Sequence, residues 1–147
     1  MNRITVNFSV VSCVSVQYLD ELRGSLQHDN YRVFELDGKT IEDPESFFQE
    51  VKRVLPLDPP LSGSWDAFAD SLWGGIDKLA SPRIAIIWKD SERMVGAALS
   101  DFLTAIDCLL QVARNVATQE FGVSVPTKLL VFLMGNGVSY KPLLPAR

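Results

Sequence analysis

The sequence predicts an α/β fold in which a three-stranded parallel sheet is packed with helices, and three observations carry that expectation. Strand-like runs at 31–36, 83–88 and 129–134 alternate with stretches of helical periodicity. The middle run, Arg83-Ile84-Ala85-Ile86-Ile87-Trp88, is almost continuously apolar, as a strand buried on both faces must be. The order strand, helix, helix, strand, helix, strand then calls for right-handed crossovers, which join parallel neighbours.

Taken in order, residues 3–16 read as a strand whose inward phase slips near Val10-Val11, and residues 3–12 are expected to add a strand at a sheet edge. A weak helical pattern follows at Tyr18, Leu19, Leu22 and Leu26. Tyr31 to Leu36 alternates like a half-buried strand and is closed by Asp37-Gly38. Asp43-Pro44 offers an N-cap and a proline at the first helical position. Phe47, Phe48, Val51, Val54 and Leu55 then fall on one face, which predicts a helix over 44–55. Pro56, Pro59 and Pro60 make a stiff loop, and Ser64 can cap a helix from Trp65 to about Leu72 or Trp73, where Gly74-Gly75 should end it or loosen its last turn. The longest helix is expected at 98–119 from the spacing of Phe102, Leu103, Ile106, Leu109, Leu110, Ala113 and Val116. Leu129 to Met134 is the last strand, closed by Gly135-Asn136-Gly137, and the tail 138–147 is expected on the surface.

At 147 residues the chain is expected to form a single domain able to bury a substantial core. The net charge of -4 hides an asymmetry: residues 1–76 hold 12 acids against 6 Lys and Arg, and residues 77–147 hold 6 acids against 8. That balance argues against general nucleic-acid affinity and for an acidic face able to meet a basic partner. Cys13 and Cys108 each sit in an apolar stretch, too few for a disulfide framework or a four-ligand metal site, and both are expected to be buried. The first apolar run is too short and too polar for an export signal, and no stretch reaches the length of a membrane span.

Catalysis finds little material. The sole histidine, His28, falls in a turn-like segment without a partner nucleophile, and neither Gly135-Asn136-Gly137 nor Gly74-Gly75 matches a phosphate-binding loop. The segment Ser64 to Trp73 stands apart. At 100° per residue Trp65, Phe68, Ala69, Leu72 and Ile76 form a core stripe, while Asp66, Asp70 and Trp73 lie within about 60° of one another on a second face. Asp66 suits the first turn through the helix dipole, which alone accounts for it. Asp70 lies deeper, has poor helix propensity, and sits at the i,i+4 spacing from a like charge, which costs an isolated helix about 0.2–0.5 kcal/mol. That cost suggests a use for Asp70 outside helix stability.

Trp65-Asp66-Ala67-Phe68-Ala69-Asp70-Ser71-Leu72 resembles the second-helix pattern Trp-Asp-Ala-Leu-x-Asp-Ser-Leu of the barstar family. Leu36-Asp37-Gly38 at a strand end, Trp88 closing the central strand and the order of elements extend the resemblance over about 31–135. It implies a barstar-like three-stranded parallel sheet covered by helices, no catalysis and no cofactor. The implied function is that of an intracellular inhibitor, cytoplasmic and monomeric when free, which covers the basic active site of a ribonuclease. On this resemblance Asp66 and Asp70 mimic RNA phosphates, with Ser62, Gly63 and Ser64 bordering the partner; Trp73, placed beside them by the helical wheel, either joins that border or packs in the core at the helix end. There are departures. The loop pattern Tyr-Gly-x-Asn is replaced by Leu61-Ser62-Gly63-Ser64, and a family acid in the long helix falls on Asn115, with Glu120 a turn later. These leave two alternatives open: the same scaffold binding some other basic protein, or a Mg-dependent enzyme using Asp66 and Asp70.

Overall fold

The computed structural model describes residues 10–142. They form four strands and five helices in the order β1 (Val11–Ser15), α1 (Leu19–His28), β2 (Arg32–Asp37), α2 (Pro44–Val54), α3 (Trp65–Leu79), β3 (Arg83–Lys89), α4 (Glu92–Ala97), α5 (Leu99–Val116) and β4 (Lys128–Gly135). The sheet has the order β1-β4-β3-β2 and every neighbouring pair is parallel. The three expected strands lie side by side in register, with Phe34 opposite Ile86 and Ile86 opposite Val131.

A fourth strand enlarges the expected sheet. β1 pairs with β4 from Val11↔Val131 to Ser15↔Gly135, and Lys141 bridges to Val14 on its other side. Most of the segment expected as an edge strand, residues 3–9, lies outside the described residues; the observed strand occupies the later part of the 3–16 run.

The period-2 geometry of β3 and β4 sends alternate side chains into two cores. Ile84, Ile86, Trp88, Leu129, Val131 and Leu133 face α2, α3 and α5 in the larger one. Ala85, Ile87, Leu130, Phe132 and Met134 face the other way, where Leu22 and Leu26 of α1 cover them together with Val14 and Tyr31. The weak pattern at 18–26 is therefore a helix that closes a second sheet face. His28 ends that helix and is exposed.

Local chemistry sets the helix starts. Asp43 and Ser46 cap α2 reciprocally, Ser46 N–H donating to Asp43 Oδ1 at 2.8 Å and Asp43 N–H to Ser46 Oγ at 3.1 Å. Ser64 caps α3 through Ala67 N–H at 3.1 Å. Three features depart from expectation. α3 continues through Gly74-Gly75 to Leu79, because the proline loop lies against that glycine pair: a Cβ on Gly74 would stand 1.9 Å from the Asp58 carbonyl oxygen, and one on Gly75 2.0 Å from that of Pro56. Asp58 N–H also donates to the Ser71 carbonyl at 2.9 Å, so the glycines serve close approach rather than termination. The short α4, which contributes only Met94 to the core, precedes α5 and has no periodic stripe to announce it. Finally, Cys108 is buried but Cys13 is exposed, since edge strand β1 turns Val14, not Cys13, toward α1.

Candidate functional site

The stripe expected on α3 is in place: Phe68, Ala69, Leu72 and Ile76 are buried, and Trp65 packs partly buried against the same core. Trp65 meets the rings of Phe47, Phe48 and Phe68 at centroid distances of 5.4, 4.8 and 6.4 Å, and Phe47 continues the stack to Trp88 at 5.2 Å. The first turn of α3 is thereby fixed to the centre of the sheet. On the opposite side Asp66 and Asp70 are both exposed, one helical turn apart.

The approach to the helix is equally constrained. Residues 56–58 are seated on the glycine pair, Leu61 is buried, and Gly63 turns the chain with φ +89°, a left-handed conformation that glycine adopts without strain. Ser62, Gly63 and Ser64 are exposed between these anchors, immediately before Asp66. Trp73 is partly buried against the core, so of the residues expected on this face it is the least available.

A further acid belongs to this corner. The Cys108 thiol of α5 donates to the Trp65 carbonyl at 3.7 Å, which packs α5 beneath the start of α3. Burial pushes that thiol up, and the nearby carboxylates of Asp66 and Asp107 push it further. Both acids therefore stand close to one sulfur, and Asp107 is exposed. The sequence directed attention instead to Asn115, which is half-buried, and Glu120, which lies in a separate turn at 119–121. No local motif marks Asp107; it precedes Cys108 on α5, the helix whose thiol meets the start of α3. Among the described residues no group of three or more His, Cys, Asp or Glu is placed to hold a metal ion, and no helix is long and apolar enough to cross a membrane.

Residues 31–127 match the family model described as Barstar (barnase inhibitor). The chain belongs to the barstar family. No curated protein matches it. The barstar segment begins at β2 and runs to the threshold of β4, so it holds α3 with its two aspartates, the preceding loop and α5. β1 and α1 precede it, and they supply the fourth strand and the cover of the second sheet face.

Proposed function

We propose that this barstar-family chain is a ribonuclease inhibitor that binds its partner through Asp66 and Asp70. The observation carrying the proposal is a pair of exposed carboxylates one turn apart on a helix anchored by a capping serine, an aromatic stack and a docked loop. An anion site built to hold RNA phosphates presents Arg and Lys at fixed spacing, and carboxylates already fixed in position meet it with charge-assisted hydrogen bonds and little ordering cost. Asp107 widens the acidic surface onto α5, and the exposed stretch Ser62-Gly63-Ser64 forms its border. Inhibition is by occlusion, with no cofactor and no bond made or broken. Residues 1–147 act as one domain, monomeric when free, in the compartment where the nuclease is made.

The loop supports a second reading in which the same acidic face meets a basic protein other than a nuclease, since Ser62-Gly63-Ser64 offers neither the tyrosine nor the asparagine of the family pattern. Titration of barnase activity with wild type and with Asp70→Ala separates the two. Stoichiometric inhibition by wild type alone supports the first. If neither protein inhibits, a pull-down in which Asp70→Ala loses one non-nuclease partner supports the second. A partner retained by Asp70→Ala contradicts both.

A further inference from the structure

The acidic stripe of α3 has a third position that the chain fills from outside the helix. Asp66, Asp70, Gly74 and Lys78 follow one another at i,i+4 spacing, about 6 Å of helix axis per step. Gly74 has no side chain of its own, and loop residue Asp58 stands over it. A Cβ on Gly74 would meet the Asp58 carbonyl oxygen at 1.9 Å, its carbonyl carbon at 3.1 Å and its Cβ at 3.9 Å. The Asp58 side chain therefore starts beside the point where a side chain at position 74 would start, one turn beyond Asp70. At Lys78, a further turn along, the stripe changes sign, so the acidic row has an end.

Backbone atoms do the fastening. Asp58 N–H donates to the Ser71 carbonyl at 2.9 Å, Leu55 and Leu61 anchor the loop in the core on either side, and Pro59 and Pro60 fix φ in the residues that follow. These contacts hold residue 58 in place without calling for a carboxylate, yet an aspartate is there and it is exposed. Among the described residues no group of three acids is placed to hold a metal ion, so the row suits separate cations rather than one shared ion. A nuclease cleft supplies such a set, since it tracks successive phosphates of an RNA strand with Arg and Lys.

We propose that Asp58 is a third partner-binding carboxylate, held one turn beyond Asp70 by the seat on Gly74, and that it meets a further cation of the nuclease where the RNA strand would continue. This rests on the ribonuclease-inhibitor reading of Asp66 and Asp70. The loop is ordered before binding, so the contact forms with little entropic cost.

The test is titration of barnase activity with the full chain and with Asp58→Asn, Asp58→Glu, Asp70→Ala and Glu21→Gln, at low and moderate salt, with a thermal melt of each protein. Asp58→Asn keeps the shape and the backbone bonds of the loop. It is expected to weaken inhibition by at least about tenfold, to reduce its salt dependence and to leave Tm unchanged, while Asp58→Glu, which keeps the charge, recovers most of the loss. Glu21→Gln makes the same change of net charge on α1, the helix over the other sheet face, and should inhibit within about twofold of wild type because solvent and salt screen a charge there. If Asp70→Ala loses inhibition while Asp58→Asn inhibits as well as Glu21→Gln does, Asp58 lies outside the partner's footprint, and the proposal is overturned with the reading of Asp70 intact. If Asp58→Asn loses Tm and inhibition together and Asp58→Glu restores neither, residue 58 only holds the loop, and the proposal is again overturned. If wild type does not inhibit barnase, the ribonuclease reading fails and this proposal falls with it.

Discussion

Replacing Gly75 by alanine sets two opposed effects against each other, and the structure says which one prevails. In an open helix the change stabilises by about 0.8–1.0 kcal/mol, because alanine loses less backbone freedom on folding. Here the new methyl would stand 2.0 Å from the Pro56 carbonyl oxygen, 2.3 Å from its carbon and 2.8 Å from Leu57 nitrogen. All three are backbone atoms, so no rotamer change relieves the overlap; the loop has to lift by about an ångström or more. Overpacking of this kind costs about 1–3 kcal/mol. Lifting residues 56–58 also strains the bond from Asp58 N–H to the Ser71 carbonyl, a further loss of about 0.5–1.5 kcal/mol. After subtraction of the helix gain, the net destabilisation is about 1–3 kcal/mol, a fall in Tm of roughly 3–10 °C for a chain of this size. Gly96→Ala is the internal control. Gly96 is also helical, yet nothing lies within 4 Å of its Cβ position, so its Tm should hold or rise slightly. Thermal melts of the three proteins followed by circular dichroism decide the matter. A Gly75→Ala protein at least as stable as wild type would refute the claim that the glycine pair exists to seat the loop.

Three further outcomes follow from the same structure. Asp70→Ala should leave Tm unchanged or slightly raised, since it removes an exposed poor helix former beside a like charge, while weakening partner binding by about 2–5 kcal/mol or more, the general cost of truncating one partner of a buried interfacial charge pair; melts and titrations read the two effects separately. Glu50 is held below the ordinary glutamate range, first by its hydrogen bond to Arg53 and then, against its burial, by Asp37 N–H at 2.6 Å; Glu35 is held down chiefly by Arg23 at 2.6 and 2.7 Å. Both lowered values mean stability that is complete above pH 4.5 and lost as pH falls through the folded-state values, so acid unfolding curves should steepen in that window and Glu50→Gln should flatten part of it. Calorimetry with Mg²⁺, Zn²⁺ and ATP should show no specific heat, and micromolar binding of any of them would return attention to Asp66 and Asp70 as an enzyme site.

The parts of this fold that were legible in the sequence are those whose signal is local. Ile84 to Trp88 and Leu129 to Met134 can be nothing but buried strands, and Asp43-Pro44 and Ser64 mark helix starts through chemistry complete within four residues. The end of α3 was not legible, because Gly74 and Gly75 carry opposite meanings according to whether another segment crosses them, and nothing in the sequence says that residues 56–58 do. The acidic face divides the same way. Asp66 and Asp70 share an element and could be placed by a helical wheel; that Cys108, next to Asp107 on α5, meets Trp65 at the start of α3 is a tertiary fact. Cys13 was misplaced because an apolar neighbourhood in sequence does not reveal which side of an edge strand is covered.

The position of β1 bears on how the chain comes together during synthesis. Val11 pairs with Val131 and Ser15 with Gly135, so the first described strand waits for the last before it has a neighbour. Loop closure over so long a span is entropically late, and slow zippering of parallel strands follows it. Until β4 has emerged from the ribosome, Leu22 and Leu26 of α1 lack most of the sheet face they cover, including Leu130, Phe132 and Met134. While β2 to α5 are being synthesised, α1 therefore carries the uncovered apolar face of Leu22 and Leu26, and it is there that a chaperone has reason to bind.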